Sequence, residues 1–124
     1  MGNNQNNNGS KRILWVEDDA NQRDSIKDLL EILGYQGDVV ENGQQALAQL
    51  EVREYDILFT DIGMPVMNGW QLIEHVKAKH GDKIKIAIVS GWANKIDSNE
   101  QASHGIHAVV SKPFQMTQLR DLLS

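Results

Sequence analysis

Along this chain, short runs of apolar and β-branched residues alternate with stretches in which apolar residues recur every three or four positions. That alternation is the pattern of βαβ units around a parallel sheet. The runs predict strands over roughly 12–17, 37–41, 55–60, 84–89 and 106–111. Between the first two, Ile26, Leu29, Leu30 and Leu33 keep helical spacing, with Asp19 and Gln22 placed as a capping box and Gly34 as the stop. Asn42 and Gln45 start a second helix that buries Ala46, Leu47 and Leu50, and a third, from Gly69 to about His80, turns Leu72, Ile73 and Val76 inward. From Asp97 to His104 few residues are apolar, and Ser98, Asn99 and Ser103 are poor helix formers. Asp97 and Glu100 are placed to cap a short, weakly held fourth helix there. A fifth helix starts after Pro113 and uses Met116, Leu119, Leu122 and Leu123.

The polar residues that end these runs carry the chemistry. Glu17-Asp18 follows Ile13-Leu14-Trp15-Val16, Asp61 follows Tyr55 to Thr60, Ser90 follows Ile84 to Val89, and Lys112 follows His107 to Ser111. Strand ends of a parallel sheet meet at its carboxyl edge, where open α/β sheets place their ligands. Carboxylates about 4–5 Å apart at an effective dielectric near 20 repel by roughly 3–4 kcal/mol, so a cation is the natural occupant, and oxygen donors point to a hard ion such as Mg²⁺. Lys112 adds a cation and Ser90 a hydroxyl, the groups that hold the oxygens of an anion beside a metal. Acids, one lysine and one hydroxyl together indicate phosphoryl chemistry on a carboxylate.

Composition narrows the picture. At 124 residues the chain fits one domain with a self-sufficient core, and no cysteine is present to staple it. No apolar run approaches a membrane span and nothing resembles a signal peptide, so a cytoplasmic protein without membrane attachment is expected. Twelve basic against seventeen acidic side chains leave a net charge of −5, which argues against direct nucleic-acid binding. Residues 1–10 are polar and Asn-rich, and are expected to form a disordered tail ahead of a domain over 11–124. No room for a second domain is expected after Leu123. His75 and His80 pair with no second ligand candidate and are read as solvated helix residues, and Asp19 as a helix cap rather than a ligand.

Four motifs, in this order and at these intervals, resemble the receiver domains of two-component response regulators and hybrid histidine kinases: Leu14-Trp15-Val16-Glu17-Asp18-Asp19, Asp61 to Gly69, Ser90-Gly91 and Ser111-Lys112-Pro113-Phe114. The resemblance covers about residues 11 to 124. It implies a single doubly wound, five-stranded parallel sheet of the flavodoxin-like kind, strand order 2-1-3-4-5, with five helices. It implies that Asp61 accepts a phosphoryl group from the phosphohistidine of a histidine kinase or phosphotransfer protein. Glu17, Asp18, Asp61 and the backbone carbonyl of Gly63 would hold Mg²⁺, Lys112 would pair with the phosphoryl group, and Ser90 would move to bond it. That movement would switch a surface of the fourth and fifth helices and the last strand toward an unknown downstream partner, and the same face is a candidate for phosphorylation-dependent homodimer formation. Such a protein is a phosphoacceptor that assists its own phosphorylation and dephosphorylation, rather than an enzyme with a diffusible substrate. A Lys112–Pro113 cis peptide also belongs to the resemblance.

Four positions depart from the family pattern. Val109 stands where an aromatic switch residue is usual, and Ser90 replaces the commoner Thr. Gly63 and Trp92 occupy the two positions that flank the phosphoryl group, and Trp92 is expected to cover the site partly and to limit water. The main competing reading is a pseudo-receiver that binds proteins without being phosphorylated. A haloacid-dehalogenase-type phosphatase would need a second Asp where Gly63 stands, and a flavodoxin-like cofactor binder would meet Glu17-Asp18-Asp19 where it needs a phosphate loop. A stand-alone domain and excision from a larger protein such as a hybrid kinase fit the sequence equally well.

Overall fold

The computed structural model describes residues 11–61, 68–91, 96 and 98–123. The Asn-rich stretch 1–10, Gly63, Trp92 and Asp97, on which several expectations fall, lie outside the described residues. Strands β1 (Arg12–Val16), β2 (Gln36–Val40), β3 (Ile57–Thr60), β4 (Lys85–Ser90) and β5 (Ala108–Ser111) alternate with helices α1 (Ala20–Leu33), α2 (Gly43–Val52), α3 (Gly69–His80), α4 (Ser98–Ser103) and α5 (Met116–Leu123). A 3-10 turn, Gly81–Lys83, precedes β4. All strand pairs are parallel, in the order β2-β1-β3-β4-β5. The expected doubly wound five-stranded sheet with five helices is therefore present. No described helix is long and apolar enough to cross a membrane.

Strand alternation sorts the core into two layers. Leu14, Val16, Leu58, Ile86 and Ile88 face Ala46 and Leu50 of α2 and Leu72, Ile73 and Val76 of α3. Ile13, Trp15, Ile57, Phe59, Ala87, Val89 and Val110 face Ile26 and Leu30 of α1 and Leu119 and Leu123 of α5. Helix α1 lies close on the sheet because Gly37 leaves it space: a Cβ there would stand 2.7 Å from Leu30 Cδ1 and 3.3 Å from the Ile13 carbonyl oxygen. Gly34 ends α1 with φ of 84°, a left-handed conformation that glycine takes without steric cost.

Some element ends differ from the sequence expectation. Strand β3 starts at Ile57, and just before it the Asp56 amide donates to the Arg12 carbonyl at 2.8 Å while the Asp56 carboxylate accepts the Arg12 amide at 2.7 Å. Ser90 is the last residue of β4 and pairs with Ser111 of β5. At the first residue of α5, Met116 is 37% exposed, so Leu119 and Leu123 form that helix's buried stripe. Asp19 caps α1 by accepting the Asn21 and Gln22 amides, but the other half of the expected box is replaced. The Asp19 amide donates to Glu17 Oε2 at 3.2 Å, not to Gln22. A reciprocal capping box does form at α3, between Asn68 and Gln71. His75 is exposed and His80 partly exposed.

Candidate functional site

The site grows out of strand register. In β1 and β3, Ile13 pairs with Ile57, Leu14 with Leu58 and Trp15 with Phe59. The same register carried two residues further sets Glu17 opposite Asp61. Alternation places Glu17 two residues beyond Trp15, Asp61 two beyond Phe59 and Lys112 two beyond Val110, all on the α1 and α5 side of the sheet. Trp15 stacks on Phe59 and packs against Phe114, with ring centroids 4.4 Å and 5.5 Å apart, and these rings underlie the polar groups.

The structure brings Glu17, Asp61 and Lys112 together. Lys112 Nζ donates to Glu17 Oε1 at 3.2 Å and to Asp61 Oδ2 at 3.4 Å. The Glu17 backbone is fixed as well, since its amide donates to the Val40 carbonyl at 2.9 Å. Glu17 is buried, at 4% exposure, and such a carboxylate needs a cation. Burial by itself would lower the Lys112 pKa, but the charges of and hydrogen bonds to Glu17 and Asp61 outweigh it, and the ammonium is held above the ordinary lysine range. The Lys112 amide donates to the Ser90 carbonyl at 3.0 Å, which ties β5 to β4 where the polar groups emerge. Lys112–Pro113 is a cis peptide. Ser90 is buried at the adjacent strand end.

Asp18 stands next in the chain but is exposed. Among the described residues no group of three His, Cys, Asp or Glu side chains is gathered closely enough to hold a metal ion. Instead the Lys112 ammonium bridges two of the three carboxylates. The donors still suit a hard cation in kind, because carboxylate oxygens at two adjacent strand ends are what such an ion binds. Gly63, expected to add a carbonyl, is outside the described residues.

Sequence reasoning missed Arg23. Its Nη1 donates to the Glu17 and Asp18 carbonyls, each at 3.0 Å. The signal was present in the chain, since a cation in the first turn of α1 opposes the helix dipole and calls for another partner.

The family model for the response regulator receiver domain matches residues 13–124. The chain is 34% identical to the response regulator receiver protein CpdR of Brucella abortus over 114 residues, which cover 92% of each protein. It is 33% identical over 121 residues to the hybrid signal transduction histidine kinase K of Dictyostelium discoideum, covering 90% of this chain and 10% of that kinase. A solved structure of the Thermotoga maritima response regulator TrrA, in complex with Mg²⁺ and BeF, superposes with a TM-score of 0.79 at 30% identity, covering 91% of this chain and 96% of that one.

Proposed function

Because this chain belongs to the response regulator receiver domain family, a family of signalling modules, we propose that it is the phosphoacceptor of a two-component phosphorelay, with Asp61 as the acceptor. The observation that carries this reading is the Lys112 ammonium bonded to both Glu17 and Asp61 at one sheet edge. An Asp61 carboxylate oxygen attacks the phosphorus of a phosphohistidine on a histidine kinase or phosphotransfer protein. The new O–P bond forms as the P–N bond breaks, and the electron pair returns to the imidazole nitrogen. The product is an aspartyl phosphate.

The transferred group is anionic, and the edge must offset its charge. Lys112 is already charged and already beside Asp61, so its ammonium pairs with a phosphoryl oxygen by a short shift from Asp61 Oδ2. Ser90, at the end of β4, supplies a hydroxyl to another oxygen. Glu17, Asp18, Asp61 and the Gly63 carbonyl would hold Mg²⁺, which when bound adds charge neutralisation for the phosphoryl oxygens. Bonding of Ser90 to the new group then biases the α4, β5 and α5 surface toward a downstream protein. Val109, partly buried against the α3 layer, adapts that surface without an aromatic side chain. Self-association of this face on phosphorylation would show as a mass increase in light scattering. We place the module in the cytoplasm.

One observation favours a second reading, a pseudo-receiver that works by protein contact alone: no group of three His, Cys, Asp or Glu side chains is gathered closely enough to hold a metal among the described residues. Incubation with acetyl phosphate and Mg²⁺, followed by intact mass, separates the two. A single phosphoryl adduct lost with EDTA and in Asp61→Asn supports the acceptor. No adduct together with no Mg²⁺ binding leaves the contact module as the reading.

A further inference from the structure

We propose that Arg23 is a positioning residue for the metal site, fixing the chain turn that presents the Glu17 and Asp18 carboxylates to one ion; this rests on the phosphoacceptor reading above. In an extended strand, successive carbonyls and successive side chains point in opposite directions. Continued in that way, β1 would send Glu17 and Asp18 to opposite faces of the sheet, and no single ion would meet both. Yet one nitrogen, Arg23 Nη1, lies 3.0 Å from both the Glu17 and the Asp18 carbonyl oxygens. Two adjacent carbonyls that converge on one donor require the backbone to leave the strand conformation between them. The guanidinium thus bonds the carbonyls of the turn itself and not the carboxylates.

The surrounding contacts agree. The Glu17 amide still makes a ladder-like bond to Val40, so the departure begins after it. Two residues on, the Asp19 amide folds back to Glu17 Oε2 at 3.2 Å, and the Asp19 side chain then caps α1 through Asn21 and Gln22. Arg23 closes this loop from the helix side. It sits in the first turn of α1, where a positive charge opposes the helix dipole. Its charge would also repel a metal cation. Both electrostatic effects work against a cation at this position, so its value at the site lies in geometry.

That opposition gives the test a sign. Mg²⁺ affinity is measured by titration calorimetry on wild type, Arg23→Gln and Arg23→Lys, with thermal melts alongside. A positioning role weakens Mg²⁺ binding in Arg23→Gln by roughly tenfold, the scale of losing an outer partner of a metal ligand. Arg23→Lys, whose ammonium lacks the planar fork, falls between it and wild type. The Mg²⁺ concentration for half-maximal phosphorylation by acetyl phosphate rises by the same factor as the dissociation constant. A charge effect alone does the reverse, with Arg23→Gln binding Mg²⁺ more tightly. Unchanged or tighter binding in Arg23→Gln overturns the inference, and if that variant does not fold, wild-type affinity in Arg23→Lys overturns it equally. Wild type that binds no Mg²⁺ would instead sink the phosphoacceptor reading, so the two failures are distinguishable.

Discussion

Trp15 and Phe59 stack with their ring centroids 4.4 Å apart and their planes 10° apart, two residues before Glu17 and Asp61 on neighbouring strands. Both rings are fully buried, so the stack sets the spacing of the strand ends from beneath the polar groups. Phe59→Ala should cost about 3–5 kcal/mol, because the sheet cannot close over a benzyl-sized cavity. Urea unfolding, read by the shift in midpoint at constant slope, measures it. A loss below about 1 kcal/mol would show that the neighbouring side chains refill the space.

Lys112 offsets the charge of Glu17, whose side chain is 5% exposed. Replacing it with Met keeps the length and much of the packing but leaves two facing carboxylates without their ammonium. The expected loss is about 1–2 kcal/mol at pH 7, less than for a fully buried pair because the lysine remains partly solvated. Added Mg²⁺ should stabilise the variant more than wild type, since a bound cation replaces the missing positive charge. Urea midpoints at pH 7 with and without Mg²⁺ check both statements, and a deficit that Mg²⁺ leaves unchanged would refute the electrostatic account.

Alkaline solution should destabilise the protein through two groups of the same sign. The Lys112 pKa is raised in the folded state, burial opposing and Glu17 and Asp61 prevailing. The Tyr55 pKa is raised by burial and then by its hydrogen bond to, and the charge of, Asp38. For each, the folded state holds its proton more tightly than the unfolded chain, so the contribution is fully present below the unfolded pKa. It is lost as pH rises through the folded one. The window opens near the ordinary tyrosine value of 10.0. Tyr55→Phe removes the hydroxyl that donates to Asp38 Oδ2 at 2.5 Å and should cost about 1 kcal/mol at pH 8. It should also flatten the decline between pH 9 and 11. A decline as steep as that of wild type would assign the effect elsewhere.

The fold was legible because each element carries its own periodic signal. Ile26, Leu29, Leu30 and Leu33 mark α1, and Ile86, Ile88 and their neighbours mark a strand covered on both faces. Strand ends were less legible, since the start of β3 depends on bonds to Arg12, a contact 44 residues away in the chain. At the site, the acids and the lysine stand out as polar residues that stop apolar runs. What the sequence could not supply was how they share partners: Lys112 chooses both Glu17 and Asp61, and the Asp19 amide chooses Glu17 over Gln22. Such choices depend on distances set by register and by the turn that Arg23 bonds, neither of which is encoded in local periodicity.

Asn68 begins α3 immediately after the chain segment that follows Asp61, and its cap is reciprocal. Asn68 Oδ1 accepts the Gln71 amide at 2.9 Å, while Gln71 Oε1 accepts the Asn68 amide at 3.1 Å. Two backbone donors that the helix leaves without intrahelical partners are thereby satisfied at the start of α3. Asn68→Ala removes one bond and orphans the Gln71 amide, for an expected loss of about 1 kcal/mol. Asn68→Asp keeps an acceptor of the same reach and places a negative charge at a helix N-terminus, so it should retain or slightly exceed wild-type stability. Urea midpoints of the two variants decide the matter: equal losses in both would mean that the Asn amide group itself, rather than helix capping, holds the start of α3.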